Sequence, residues 1–178
     1  NSIKKQLHNK LIILKKIIRA LPVVVADPMF IENTVDPIIQ QRSYNFIRTM
    51  QYSLNNDPSV LTQQTRLIFS NNINILATNI QNNINNNTDL ITCIERLRYY
   101  YVNKESLQLN MENVALILNN LAHYTQYVNA NNVQETHYNI ILSSQINNYI
   151  VTYFNPEQQN IIYNNLYNYS QSFMEVQQ

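Results

Sequence analysis

Residues 105–178 contain three runs of apolar residues that recur every three or four positions, the spacing that places side chains on one face of an α-helix. The runs are Leu107, Met111, Val114, Leu118, Leu121 and Thr125, then Tyr138, Leu142, Ile146, Tyr149 and Tyr153, and finally Ile162, Leu166, Tyr169 and Phe173. Three helices with one apolar stripe each remove the stripes from water by packing against one another. This region therefore predicts a helical bundle.

The residues before position 105 have the same periodicity, and helix-start signals divide them into four further helices. We predict the first at residues 2–21, the second from Asp36 and Pro37 onward, the third from Asp57 and Pro58 to Asn85, and the fourth at residues 88–103. The last helix of the chain has an equally clear start at Asn155, Pro156 and Glu157. Prolines and β-branched residues indicate an extended connection between the first and second helices.

The predicted fold is all-α: a single-domain bundle of about six to seven helices with an extended, proline-containing connection near residues 22–37. Within it, residues 1–26 form a basic amphipathic N-terminal helix and residues 27–178 form the helical bundle domain. A chain of 178 residues is long enough to bury a core without disulfides or metals. The chain begins with Asn1, which indicates a processed product or a fragment.

The chain contains no glycine and 31 asparagines. Glycine usually supplies the left-handed residue at the end of a helix, and asparagine is the next most suitable residue there. The asparagines cluster where the periodic runs stop, at Asn55 and Asn56, residues 85–87, Asn103, residues 129–132 and Asn155. We therefore expect asparagine to end helices in place of glycine.

The absence of glycine also excludes several classes of enzyme. Phosphate-binding loops, dinucleotide fingerprints and nucleophile elbows need glycine so that the backbone can approach a phosphate or an oxyanion. The three histidines, His8, His123 and His137, form no metal-binding motif, and the carboxylates are scattered. The sequence therefore predicts neither an enzyme nor a cofactor, a metal site or a small-molecule substrate.

Cys93 is the only cysteine, so the chain has no internal disulfide. Its place beside an apolar stripe favours an inert, buried thiol over a reactive one. No apolar run reaches the roughly 18 residues of a membrane-spanning helix. The sequence therefore predicts no transmembrane segment.

Charge is graded along the chain, although the net charge is only +1. Residues 1–26 contain six basic and no acidic residues, residues 27–104 contain six of each, and residues 105–178 contain five glutamates and no lysine or arginine. The basic residues of the first segment form a candidate partner-binding surface. They are Lys4, Lys5, Lys10, Lys15, Lys16 and Arg19.

Three interpretations of this basic helix remain open. It packs its apolar stripe onto the bundle or onto a neighbouring copy, with the acidic C-terminal helices attracting its lysines; it lies on an anionic membrane surface; or it binds nucleic acid. Burial of its large apolar side chains, at roughly 1.5–3 kcal/mol each, outweighs exposed ion pairs at about 0–1 kcal/mol each. Packing is therefore the favoured interpretation, and charge is expected to set orientation and partner.

Two arginines stand beside three tyrosines in residues 95–101, a pattern that also occurs on nucleic-acid-binding surfaces. We expect Leu97 and Tyr101 to face the core. Arg96, Tyr99 and Tyr100 are then expected to point outward as a candidate interface. No broader basic region surrounds them, so tyrosines that pack or contact protein are favoured over a nucleic-acid surface.

The chain has thirteen tyrosines, many side-chain amides and a charged fraction of only 13%. This composition predicts a polar surface whose desolvation costs little free energy. We therefore expect a non-enzymatic structural or assembly protein that contacts copies of itself or other subunits of a larger particle. The bias toward Asn, Ile, Tyr and Lys indicates an AT-rich genome. A virion of a virus with such a genome is one example of the larger particle. The alternative is a monomeric helical adaptor or inhibitor that holds a partner's helix in a groove.

Overall fold

A computed structural model describes residues 2–20, 37–59, 61–82, 88–102, 107–132 and 137–177, except for the side chains at positions 3, 7, 16–20 and 169–177. The described residues form seven helices and no strand, so the predicted all-α, single-domain bundle is confirmed. The helices are α1 (Ser2–Ala20), α2 (Pro37–Asn56), α3 (Gln63–Asn82), α4 (Thr88–Val102), α5 (Met111–Asn131), α6 (Tyr138–Tyr153) and α7 (Pro156–Gln177). The predicted extended connection lies outside the described residues, apart from Pro37, which begins α2.

Side-chain amides fix how the helices lie against one another. α2 and α3 are antiparallel: Gln40 Nε2 donates to Ile80 O at 2.6 Å, and Gln51 Nε2 donates to Ser70 O at 2.8 Å. α5 packs against α3 and α6, and α4 packs against α2 and α6. α1 lies against α6 and α7, so its contacts are with the C-terminal helices. The predicted boundary at residue 26 falls outside the described residues.

The three predicted apolar stripes form the C-terminal part of the core. Among their members, Val114, Leu118, Leu121, Leu142, Ile146 and Leu166 are all fully or almost fully buried. Each such side chain contributes roughly 1.5–3 kcal/mol relative to exposure, so these stripes supply the main attraction between helices. Tyr153 was wrongly assigned to a stripe: it is the last residue of α6 and 62% exposed, and Ile150 takes the inward position instead.

The third helix begins later than predicted. Asp57 does not cap it; the Asp57 carboxylate instead accepts from the backbone N–H and the hydroxyl of Ser59, which forms a local turn. The cap is Thr62, whose hydroxyl accepts from the backbone N–H of Thr65 at 3.3 Å, and α3 starts at the next residue, Gln63. The predicted end at Asn85 lies outside the described residues.

Asparagine marks three helix ends in the described chain. Asn110 begins α5 by accepting from the backbone N–H of Asn113 at 2.8 Å. Asn155 and Gln158 form a reciprocal capping box at the start of α7, with bonds of 2.9 and 3.1 Å, as the start signal predicted. Asn132 ends α5 in the left-handed conformation, with φ 51° and ψ 45°, and here asparagine does replace glycine. The same expectation is wrong at Asn55 and Asn56, which have no positive φ at the end of α2, and at Asn155, which begins a helix.

Candidate functional site

The basic helix α1 presents part of its charge to solvent and part to the bundle. Lys4 and Lys5 are exposed, whereas Lys10 and Lys15 are half-buried. The Lys10 ammonium lies 5.4 Å from the centre of the Tyr163 ring on α7, a cation–π contact. The contact between this lysine and α7 is therefore made with an aromatic ring rather than with the predicted carboxylates.

The inner side of α1 faces its own bundle. Leu14 is completely buried, and the helix contacts α6 and α7, as the packing interpretation predicted. The side chains of Lys16 and Arg19, the other two candidate partner-binding residues, lie outside the described residues.

The opposite side of α1 combines charge with exposed apolar area. Ile12 and Ile13 are 37% and 42% exposed, and Lys5 and His8 are exposed near them on the helix. We call these four residues the outer face of α1. No acidic residue occurs in α1, so Lys5 gives this surface a positive charge beside the two exposed isoleucines.

The predicted outward orientation of Arg96 and Tyr100 is wrong. Arg96 is 9% exposed and donates from Nη1 to Asn139 Oδ1 of α6 at 2.8 Å, and Tyr100 is only 1% exposed. Tyr99 is half-buried, and its ring packs edge-on against that of Tyr100, with 6.0 Å between the ring centres. The physical reason is that α4 packs against both α2 and α6, so it buries far more than one stripe, and residues 90–97 are all buried.

A buried carboxylate joins α4 to α2. Glu95 is completely buried, and its Oε1 accepts from the Ser43 hydroxyl at 2.8 Å. Its Oε2 accepts from Arg42 Nε at 3.1 Å and from Arg98 Nη2 at 3.3 Å. Sequence spacing alone indicates only the ion pair of Glu95 with Arg98, because Arg42 and Ser43 lie more than 50 positions away from Glu95 along the chain. The network pairs these charges inside the bundle and fixes the position of α4 along α2.

Cys93 is buried, as predicted, and its Sγ lies 3.6 Å from the backbone oxygen of Tyr138. Burial raises the pKa of the thiol to about 12, so the nucleophilic thiolate is scarce at neutral pH. His8, His123 and His137 are all exposed and lie on different elements. Within the described chain, no three His, Cys, Asp or Glu side chains come close enough together to hold a metal ion.

A small cleft lies where the chain before α5 meets the corner between α6 and α7. Its volume is about 210 Å³. It is lined by Leu107, Gln108, Phe154, Gln158, Ile161, Ile162 and Asn165. We call it the apolar cleft after its four apolar side chains, but three amides line it too, so its surface is about as polar as it is apolar. Ile161 is 54% exposed beside it.

The wall of the apolar cleft that precedes α5 is held in an unusual backbone conformation. Gln108 has φ 53°, a left-handed value in a residue other than glycine. Leu107 and Leu109 are buried on either side of it, and the Tyr149 hydroxyl donates to the Gln108 backbone oxygen at 2.9 Å. The hydrogen bond and the two buried neighbours favour this conformation of Gln108.

Two exposed glutamates lie next to the apolar cleft in the sequence. Glu157 precedes the lining residue Gln158, and Glu112 is in the first turn of α5, four positions after Gln108. Helix starts favour such negative charges, because the backbone N–H groups there are unpaired. The sequence located the start of α7, but it placed Leu107 in the stripe of α5, and this is wrong because α5 begins only at Met111. The cleft was not predicted, since Gln108 has no signal of a left-handed conformation.

Among the helices that the structure describes, none combines the length and the apolar character needed to cross a bilayer. No family model matches the chain, and no curated protein or solved structure matches it significantly. Its function is therefore inferred from its own surfaces.

Proposed function

We propose that this chain is a non-enzymatic assembly protein that makes extensive contacts with copies of itself or with other subunits of a larger particle. The observation that supports this most strongly is the distribution of exposed apolar side chains. Among the described residues, every one of the seven helices carries at least one large apolar or aromatic side chain that is exposed. They are Ile12, Ile13, Ile38, Tyr52, Leu67, Ile68, Val102, Leu116, Tyr127, Val151, Tyr153, Ile161 and Tyr167.

The exterior is also poor in charge. Charged residues make up 13% of the chain, whereas soluble globular domains average roughly 25% charged residues. Some of these charges are used inside the bundle: Glu95 is fully buried, Arg96 nearly so, and Arg42 and Arg98 point at Glu95. Amides and four exposed tyrosines, Tyr52, Tyr127, Tyr153 and Tyr167, contribute to the outside, and such groups are easily desolvated by another protein. The expected tyrosine-rich surface is only partly present, because the other described tyrosines are buried or half-buried.

Sedimentation equilibrium of the full chain over a hundredfold concentration range, at low and at high salt, tests the proposal. We expect the weight-average mass to rise with concentration in both conditions, because apolar contacts persist when charge is screened. A strict monomer of 21.0 kDa at every concentration and salt would contradict it.

A further inference from the structure

We propose that copies of this chain associate head to tail, with the outer face of α1 of one copy seated at the apolar cleft of the next. This inference rests on the proposed self-assembly and adds to it which two surfaces meet. It makes the contact heterologous, so that each copy contributes a different surface to each of its two neighbours.

The two surfaces are complementary in charge. α1 contains lysines and no acidic residue, and Lys4 and Lys5 are exposed. The C-terminal part, residues 105–178, contains glutamates and no lysine or arginine, and the exposed Glu112 and Glu157 stand beside the cleft in sequence. Opposite charges of this kind steer two surfaces together and disfavour contact between two identical surfaces.

They are also complementary in apolar character. Ile12 and Ile13 are exposed at the centre of the outer face, while Leu107, Phe154 and Ile161 line the cleft. A dry cavity of about 150 Å³ is large enough to hold benzene, so a cleft of about 210 Å³ has room for one or two aliphatic side chains. Lys5 lies two turns from Ile12, about 10 Å, and Glu157 lies one turn from Ile161, which places a charge near an apolar side chain on both surfaces.

The fold prevents α1 from filling the cleft of its own chain through this face. α1 uses its inner side, with Leu14 and Lys10, to contact its own bundle, and the ring that Lys10 meets on α7 is Tyr163. Tyr163 is buried and is not among the residues that line the cleft. The outer face therefore points away from its own bundle, and a second copy is the occupant that can join the two surfaces.

Two complementary variants of the full chain test the inference. The head variant carries Lys5→Gln and Ile13→Asn on the outer face, and the tail variant carries Glu157→Gln and Ile161→Asn beside the cleft. We expect each alone to associate at least tenfold more weakly than the original chain in sedimentation velocity. The matched control Gln64→Asn introduces the same side chain at an exposed position of α3 that belongs to neither surface, and it should associate like the original chain.

The decisive sample is an equal mixture of the two variants. The tail variant keeps an intact outer face and the head variant keeps an intact cleft, so the mixture should form a 1:1 dimer and nothing larger. A mixture that stays monomeric, or one that builds species beyond the dimer, would overturn the head-to-tail contact. All changes are at exposed positions, and helix content measured by circular dichroism shows that each chain is folded.

Failure of this inference is distinguishable from failure of the proposed function. If the original chain self-associates and both variants do so equally well, head-to-tail contact is wrong and assembly through another surface stands. If the original chain is monomeric throughout, both proposals fail.

Discussion

At the scale of single residues, asparagine and glutamine adopt conformations that glycine adopts in most proteins. Asn132 ends α5 with φ 51°, and its backbone N–H donates to Val128 O. Gln108 has φ 53° at the wall of the apolar cleft. Among the described residues these are the two with positive φ, and a side chain at such a position normally strains the backbone. The lack of glycine is therefore tolerated because few positions require it.

Replacement of Asn132 tests the role of the left-handed cap. We expect Asn132→Ala to lower the free energy of unfolding by about 1 kcal/mol, because the left-handed backbone conformation is unfavourable for alanine. Asn132→Gly should leave it unchanged or raise it slightly. Urea unfolding followed by circular dichroism measures both. Asn164→Ala, at an exposed position inside α7, is the control and should cost nothing, since alanine is the better helix former. Equal effects of alanine and glycine at position 132 would contradict the assignment.

At the scale of helices, the bundle is joined by stripes of apolar residues and by a few buried polar links. Glu95 is the most connected of these, because it reaches Ser43 and Arg42 on α2 as well as Arg98 on its own helix. Thr125 and Tyr138 form a second link, with 2.9 Å between their hydroxyl oxygens across α5 and α6. Such links add little net energy when intact, but they are costly to break.

Glu95→Gln tests the link between α2 and α4. We expect it to lower the free energy of unfolding by about 1–3 kcal/mol, because two arginines lose their charged partner while the shape is kept. The arginine side chains are 33% and 23% exposed, so water limits the loss. Glu112→Gln, at an exposed position in the first turn of α5, is the matched control and should cost less, about 0.3–1 kcal/mol. A loss at position 95 no larger than that at position 112 would show that the buried network does not hold the helices.

The helices were largely predictable from sequence, and the surfaces were not. Periodicity identified the stripes of α5, α6 and α7 because apolar burial alone decides them. It failed at α4, where Arg96 and Tyr100 are buried, because periodicity describes a helix with one packed side and α4 has two. The apolar cleft was missed because it depends on the backbone of Gln108 and on the meeting of three separate segments.

At the scale of the whole molecule, buried tyrosines make folding sensitive to alkaline pH. Burial raises the pKa of Tyr138 and of Tyr163 to about 12, above the usual tyrosine value of about 10. A raised pKa means that the folded chain holds the proton more tightly than the unfolded chain. This contribution to stability is therefore complete below about pH 10 and is lost as pH rises toward 12.

We expect the urea midpoint to be nearly constant up to about pH 8.5, to begin falling near pH 9 as the thiol of unfolded Cys93 ionises, and to fall steeply between pH 10 and 12. Tyr138→Phe should reduce that fall, since it removes one group that must ionise, although it also removes the bond to Thr125. Tyr127→Phe, at a position 57% exposed, should leave the fall unchanged. The same alkaline fall in both variants would show that ionisation of Tyr138 is not coupled to folding.

The charge gradient along the chain and the low charge of its surface both lead us to expect contact with other protein molecules. The basic end of the chain and its acidic end are both partly exposed, and large apolar side chains reach solvent on every described helix. A surface with so little charge is suited to contact with protein more than to isolation in water.

Small-angle X-ray scattering of the full chain over a concentration series tests this expectation most directly. A single compact copy of 178 residues has a radius of gyration of about 16 Å. Self-association predicts a radius that exceeds this value and increases with concentration. A radius of gyration that stays near that of one copy at every concentration would contradict the proposal that this surface binds other protein molecules.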